Sequence, residues 1–293
     1  MKLTSAKVLE IIRRKNEGYT TYQARKIGDI SIRRVNQIYE FYLKTGKPPA
    51  LGRRMGRPNR LITDEEIKLI EKAYGIYRVS ASTLEPLIMR DYSISIPHNQ
   101  IHKVLLELNL AKKKEKIDVR KKHWKRYERK HSLTAIHLDW YYDPQKEQWV
   151  LPVIDDASRK MLSLIEEKTE TAEASARAVE LALKHGKIEQ CITDHGSTFY
   201  NNIYDAKNEK TKNIFEKYLE KQGIKHILCR VKHPQSNGKS EKFNDLYKNH
   251  RHAFETKEEF MKWYNEIRPH MSLNFEILET PEQAFQRKIR KED

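Results

Sequence analysis

Apolar residues recur at helical spacing through the first 45 positions and predict three short helices. The first ends near Gly18, the second runs from Thr20 or Thr21 to Ile27, and the third covers residues 32–44. Ser31 stands directly before the third helix, where serine is a favoured N-cap. The first helix has a compact apolar face of Val8, Leu9, Ile11 and Ile12.

The third predicted helix has a polar face that suits contact with DNA. It presents Arg33, Arg34, Asn36 and Gln37 beside a buried face, which is the layout of a helix-turn-helix whose last helix lies in a major groove. The alternative is a plain three-helix bundle with a solvated face. We favour a helix-turn-helix DNA-binding domain over residues 1–46, with Arg33, Arg34 and Asn36 as DNA-contact candidates.

Residues 61–111 repeat the three-helix pattern and predict a second helix-turn-helix domain. Thr63 and Glu66 have the spacing of a capping box, and the last helix begins at Pro97. Its DNA-contact candidates are Asn99, Gln100 and Lys103. His98 and His102 have the spacing of a metal pair on a helix, but no third ligand is near in sequence. A surface role or a role facing a DNA groove is therefore favoured over zinc.

Two segments without helical or strand periodicity are strongly basic. Residues 47–60 are rich in Pro, Gly and Arg, and Gly56-Arg57-Pro58 resembles an AT-hook that places Arg57 in a narrow minor groove. A simple basic tether is the alternative. Residues 112–131 begin with a run of lysines and predict either a basic helix or arm that contacts phosphates, or a solvated linker.

From residue 132 the pattern changes to that of an α/β domain. Three strands are predicted first, then a helix, and then strand, helix, strand and helix in alternation, with one further helix. This is the order of a ribonuclease-H-like domain, which we assign to residues 132–293. The predicted elements are strands 133–142, 149–154, 161–166, 190–193 and 225–229, and helices 171–185, 208–221, 240–250 and 257–268.

The charge is concentrated in the amino-terminal half of the 293-residue chain. Residues 1–130 contain 31 Lys and Arg against 14 Asp and Glu, a net charge of +17, whereas residues 131–293 carry a net charge of −1. A basic excess on this scale indicates a nucleic-acid partner. The two cysteines exclude a disulfide framework and a cysteine-rich zinc site. With no signal peptide or long apolar run, we expect a cytoplasmic protein without a membrane partner.

Three acidic residues stand at ends of predicted elements in the α/β domain. Asp139 lies within a predicted strand among apolar neighbours, Asp194 follows a buried strand, and Glu241 begins a helix. Carboxylates on separate elements can hold two divalent ions about 4 Å apart, the arrangement that cleaves phosphodiesters. A single acid after a strand is more often a turn former, and Asp155 and Asp156 are interpreted in that way. Lys248 shares the helix face of Glu241 and could contact a phosphate.

The residues around these acids resemble the integrase catalytic core of retroviral integrases and DDE insertion-sequence transposases. The resemblance covers residues 133–285, about half of the chain, through five motifs. The motifs are Leu138-Asp139-Trp140, 153–159, Thr193-Asp194-His195-Gly196-Ser197, 233–241 and the tail 264–270 followed by 280–285. The resemblance implies that Asp139, Asp194 and Glu241 are catalytic and bind Mg²⁺ or Mn²⁺ as two ions. It also implies that Asn237 lies in a loop beside target DNA.

The resemblance implies a DNA transposase that joins its own ends to target DNA. Such an enzyme binds terminal inverted repeats, cleaves the 3′ ends and joins them by transesterification, as a dimer or higher oligomer on DNA. The resemblance also implies association with the nucleoid of a prokaryote. The interval from Asp194 to Glu241 is longer than is typical, which predicts a surface insert at residues 201–213. The alternatives are a catalytically inactive, sequence-specific DNA-binding regulator and a plain ribonuclease-H-like nuclease.

Overall fold

The structure is a computed structural model that describes residues 3–52, 60–112, 128–203, 211–229 and 238–290, with only the backbone described for 238–241. The chain divides into two compact units, residues 1–61 and residues 62–293. Among the described residues, no helix combines the length and apolar character needed to cross a membrane.

The first unit contains the three predicted helices, α1 (Ser5–Asn16), α2 (Thr21–Gly28) and α3 (Ile32–Thr45). Hydroxyl side chains cap all three amino-terminal ends, and Ser31 accepts from the backbone of Arg34 as expected. Small and branched apolar side chains from the three helices form one core of Val8, Ile11, Ile12, Ala24, Val35 and Ile38. The predicted helices of this unit are therefore confirmed, and their use in DNA binding stays a prediction.

The second unit begins with another helical bundle, α4 (Asp64–Tyr77), α5 (Ala81–Tyr92) and α6 (His98–Glu107). The capping box of Thr63 and Glu66 is formed, with each side chain bonded to the backbone of the other residue. Ser80 is the N-cap of α5, but its hydroxyl bonds to neighbouring hydroxyls rather than to the helix backbone. We call residues 62–111 the second helical unit.

A six-stranded mixed sheet follows, which confirms the predicted α/β domain. Its strands are β1 (Ile136–Leu138), β2 (Tyr141–Asp143), β3 (Gln148–Asp155), β4 (Met161–Glu167), β5 (Gln190–Thr193) and β6 (Lys225–Leu228). β3 pairs with β4 on one side and with both β1 and β2 on the other. β5 pairs in parallel with β1 and with β6. The parallel strands therefore direct their carboxyl ends to one edge.

The predicted strand 133–142 is wrong as a single strand, because β1 and β2 are separated by Asp139 and Trp140. The two strands share one register on β3, in which Leu138 faces Val153 and Tyr141 faces Val150. Continuing that register places Asp139 opposite Pro152. Proline has no backbone N–H to contribute to a ladder, so the pairing lapses at this point. Asp139 thus lies in a gap between strands and not within one.

Helices cover both faces of the sheet. On one face lie α7 (Ala172–Ala182), extended by a 3₁₀ turn (Leu183–His185), and α8 (Ile214–Lys221), which pack on alternate residues such as Leu151 and Val153. On the other lie α9 (Gly238–His250) and α10 (Lys257–Lys262), which continues as a π-helical segment (Trp263–Ile267). Short 3₁₀ turns (Arg251–Ala253 and Phe275–Ile277) and α11 (Pro281–Lys288) complete the unit.

The predicted helix 208–221 begins later than expected, at Ile214, because Asn213 caps it and residues 211–213 are not helical. The predicted insert 201–213 lies before this cap, and residues 204–210 are outside the described part. Its two described ends are joined, since Thr211 donates its backbone N–H to the Ile203 carbonyl at 2.8 Å. The chain therefore leaves and returns at one place, and the surface position of the insert stays a prediction.

Candidate active site

Two of the three predicted catalytic carboxylates lie at the same edge of the sheet. β1 and β5 run in parallel with Ile136 beside Cys191 and His137 beside Ile192. Extending that register by two residues places Asp139 beside Asp194, each just past the end of its strand. Neighbouring strands are about 4.8 Å apart, so the two backbones meet at close range. Both aspartates are partly exposed at this edge.

A tight turn orients Asp194. Its Oδ1 accepts a hydrogen bond from the backbone N–H of Gly196 at 2.8 Å. A side chain at position 196 would crowd this bond, because an ideal Cβ there would lie 3.0 Å from the same oxygen. The bond uses one carboxylate oxygen and fixes the direction of the other. The glycine of the Asp194-His195-Gly196 motif therefore has a direct structural reason.

Helix α9 carries Glu241, the third predicted carboxylate. The helix contacts β1, the strand that ends directly before Asp139, so its backbone approaches the same edge. Phe243 and Tyr247 are buried on its inner face, as the sequence predicts. The Glu241 side chain is outside the described part of the structure, and its participation stays a prediction.

A buried polar network holds α9 against β3 and β4. Arg251 donates Nε and Nη2 to the two carboxylate oxygens of Glu166 at 2.7 and 3.2 Å, and the Tyr247 hydroxyl donates to Oε1 at 2.7 Å. Gln148 donates its amide to the Tyr247 hydroxyl at 3.1 Å. Burial alone would raise the pKa of Glu166, but the bonds from Arg251 and Tyr247 outweigh it and lower that pKa. The network therefore fixes the helix with an ionised carboxylate.

Asp155 and Asp156 form a structural turn, which confirms the interpretation made from sequence. Asp155 accepts from the backbone of Leu133 at 2.7 Å and of Ser158 at 2.8 Å, and burial raises its pKa. Asp156 Oδ1 is hydrogen-bonded to His137 Nε2 at 2.6 Å, and both side chains are buried. Sequence reasoning missed His137, which looks like an ordinary strand residue. The sequence shows that His137 stands two residues before Asp139, but only the strand register shows that it pairs with Asp156.

The predicted DNA-contact residues are distributed over several elements. Arg33, Arg34, Asn36, Asn99, Lys103 and Lys248 are exposed on α3, α6 and α9. Gln100 is half-buried, which leaves less of its amide for a base. Arg57 and Asn237 are outside the described residues. Their roles in DNA binding remain predictions.

The two described carboxylates have the donor chemistry that divalent metals need. Asp139 and Asp194 present hard oxygen ligands at one partly exposed edge, which suits Mg²⁺ or Mn²⁺. Among the described side chains, no group of three or more His, Cys, Asp or Glu stands close enough to hold an ion. Glu241, the residue expected to complete the set, is not among the described side chains.

These features define an α/β domain with paired aspartates at the carboxyl edge of its parallel strands. Residues 222–276 match the family model described as "Integrase core domain". Over 187 residues the chain is 32% identical to a protein of Spiroplasma virus SpV1-C74 provisionally named integrase ORF3. The match covers 56% of this chain and 51% of that protein, so the chain spans about half the length of this curated relative.

The fold comparison gives a much weaker likeness. The crystal structure of the catalytic core domain of BIV integrase aligns with a TM-score of 0.39 and 16% identity, covering 52% of this chain and 93% of that chain. A similarity at this level carries no argument about function. The sequence matches confirm the resemblance to integrases and integrase-like transposases predicted from the motifs. The matched segment includes β6 and α9, the helix that carries Glu241.

Proposed function

We propose that this protein is a DDE transposase that cleaves the ends of a mobile element and joins them to target DNA. The observation that carries the proposal is the register of β1 and β5, which supports Asp139 and Asp194 as neighbours at one edge. The segment that matches the integrase core, residues 222–276, contains α9 and Glu241, which supports Glu241 as the third carboxylate. The catalytically inactive regulator is not favoured, because all three acidic residues are present.

The chain's own part in this chemistry is to hold and orient. Asp139, Asp194 and Glu241 would hold two divalent ions, which supply a polarised water or hydroxyl and neutralise charge at the phosphate. The turn at Gly196 keeps the Asp194 carboxylate directed, and the network of Glu166 and Arg251 keeps α9 in place. The same carboxylates would serve cleavage and joining, because both are in-line displacements at phosphorus.

End recognition would come mainly from the first unit and its basic linker. Residues 1–61 contain fifteen Lys and Arg against four Asp and Glu. Arg33, Arg34 and Asn36 on α3 can make bidentate contacts with guanine and adenine, each worth about 1–3 kcal/mol of discrimination. Lys248 on α9 would contact a phosphate near Glu241. Joining two ends requires more than one protomer, so a dimer or larger assembly on DNA is part of the proposal.

The test uses a duplex with the terminal repeat that flanks the coding frame. Asp139→Asn, Asp194→Asn and Glu241→Gln should each abolish Mg²⁺-dependent cleavage and joining while end binding stays within about twofold. Glu220→Gln on α8 is the matched control and should keep activity. It neutralises an exposed carboxylate whose Oε1 lies 2.8 Å from Lys212 Nζ. Strand transfer retained by any triad variant would refute the assignment. End binding without cleavage by the wild-type chain would support the regulator instead.

A further inference from the structure

The second helical unit differs in charge from the segments on either side of it. Residues 62–111 contain five Lys and Arg against seven Asp and Glu, a net charge of −2. Residues 1–61 carry a net charge of +11, and residues 112–130 carry +8. Affinity for DNA comes largely from Lys and Arg that neutralise phosphates. The basic excess that favours DNA binding therefore belongs to the neighbouring segments and not to this unit.

Local contacts also engage the polar side chains of α6. His98 Nδ1 lies 2.9 Å from a carboxylate oxygen of Glu85, and Lys103 Nζ lies 3.8 Å from one of Glu107. Glu107 offsets the Lys103 charge that would otherwise face a phosphate, and Glu85 places a negative charge beside His98. The helix therefore presents a nearly neutral surface, whereas a groove-reading helix is usually flanked by basic residues.

The second helical unit shares its apolar core with the carboxyl-terminal part of the chain. Leu278 is 5% exposed and packs in the same cluster as Ile70, Leu84 and Leu87, with Phe275 beside it. Leu278 has a φ of +54°, in the left-handed region that branched side chains avoid. Its side chain packs into the helical core, and the hydrogen bond from the Leu278 backbone N–H to the Phe275 carbonyl at 3.2 Å also holds this turn.

Trp263 links the end of α4 to the end of α9. Its indole N–H donates to the carbonyl oxygen of Ile76 at 3.0 Å. Ile76 is in the last turn of α4, where carbonyls have no partner within the helix. On the other side, the Trp263 ring lies 5.4 Å from the His250 ring, at the carboxyl end of α9. The guanidinium of Arg78 lies 5.8 Å above the Phe254 ring and adds a second contact in this region.

We propose that the second helical unit, anchored to the carboxyl-terminal part of the chain by Leu278, stabilises helix α9 through Trp263 and is not a second reader of DNA. Its docking restrains the helix that carries Glu241 from the end opposite to that residue. The effect on cleavage rests on the proposed transposase function, but the docking itself does not. A defect in docking should loosen α9 and slow cleavage without weakening the binding of element ends.

The docking is tested in the full chain with Leu278→Ala and the adjacent control Ile277→Ala. Ile277 is 61% exposed, so the two variants remove similar side chains from buried and exposed positions in one turn. Hydrogen exchange of amides 70–76 in α4 and 243–250 in α9 should accelerate at least about tenfold in Leu278→Ala and stay within twofold in Ile277→Ala. Faster exchange in α4 with unchanged α9 would overturn the proposal.

A milder variant distinguishes a local loss of docking from general unfolding of the unit. Trp263→Phe keeps an aromatic ring in the core but removes the donor to Ile76 together with part of the indole ring. It should accelerate exchange at the last turn of α4 and at the end of α9, while amides of β3 keep their wild-type protection. Equal acceleration in β3 would mean that the change acts on the whole unit and would count against a specific link.

The DNA role predicted from sequence for α6 and the role proposed here give different outcomes in a binding assay. With the terminal-repeat duplex, Arg33→Ala/Arg34→Ala should weaken binding at least about tenfold, and Asn99→Ala/Lys103→Ala less than twofold. An equal loss in both would overturn the proposal. If the wild-type chain neither binds ends nor cleaves, the transposase function fails, and the exchange measurements still decide whether the second helical unit restrains α9.

Discussion

The buried ion pair between Glu166 and Arg251 should be one of the costliest single contacts to break in residues 62–293. The two side chains are 13% and 6% exposed, and the contact is bidentate. Glu166→Gln would leave the Arg251 cation buried without a counter-charge. Removing one partner of a buried pair typically costs about 3–5 kcal/mol. The free energy of unfolding should therefore fall by about that amount.

The neighbouring residue provides a matched control. Glu167 is also paired with an arginine, Arg177, but that arginine is 52% exposed. An exposed pair contributes only about 0–1 kcal/mol, so Glu167→Gln should be nearly neutral. The double variant Glu166→Leu/Arg251→Met removes both buried charges and should recover much of the loss, because no unpaired ion remains. The three variants together separate the cost of an unpaired charge from the loss of packing.

Urea unfolding followed by tryptophan fluorescence measures this prediction in the full chain. All four tryptophans lie after residue 61, so the signal reports residues 62–293. For a unit of this size, 3–5 kcal/mol corresponds to a fall in Tm of roughly 6–20 °C. A loss below about 1 kcal/mol for Glu166→Gln would refute the reasoning. Equal losses for Glu166→Gln and Glu167→Gln would show that burial does not decide the effect.

Two further predictions concern pH and groove recognition. Burial, with the nearby cations Arg268 and Arg78 and with His252, lowers the pKa of His250 to about 4. The unfolded chain therefore takes up this proton first as the pH falls below about 6.5, and the free energy of unfolding should decrease between pH 7 and pH 5 by up to about 2 kcal/mol. His250→Gln should flatten that dependence in urea titrations; an unchanged slope would contradict it. Arg57→Ala should weaken binding most for duplexes with an A·T-rich spacer, measured by fluorescence anisotropy, and equal weakening on G·C-rich spacers would argue for a plain basic tether.

Local signals in the sequence predicted much of the fold. Ser31 and Thr63 are examples of these signals, because both stand at predicted helix starts and both cap helices as expected. Hydroxyl caps act on the nearest backbone N–H groups, so their effect is visible within four residues of sequence. Asn244, by contrast, lies mid-helix on α9, and nothing local predicts its surroundings.

The features that were missed depend on residues far apart in the chain. The gap at Asp139 arises from Pro152 on the facing strand, which no pattern within residues 133–142 reveals. The pair of His137 and Asp156 likewise requires the register of β1 on β3. Apolar periodicity also predicts the core of the second helical unit but not that Leu278, about 170 residues after it, completes that core.

The candidate site shows the same division between local and distant causes. Motifs place Asp139, Asp194 and Glu241 at the ends of elements, and the parallel pairing of β1 with β5 supports the closeness of the first two. Helix α9, which carries Glu241, is held by contacts that no sequence motif indicates. These contacts are the buried charge network of Glu166 on one side and those of Trp263 on the other. Metal chemistry requires the carboxylates, but their geometry requires α9 to stay in place. Substitutions in that supporting set should therefore slow catalysis before they weaken DNA binding.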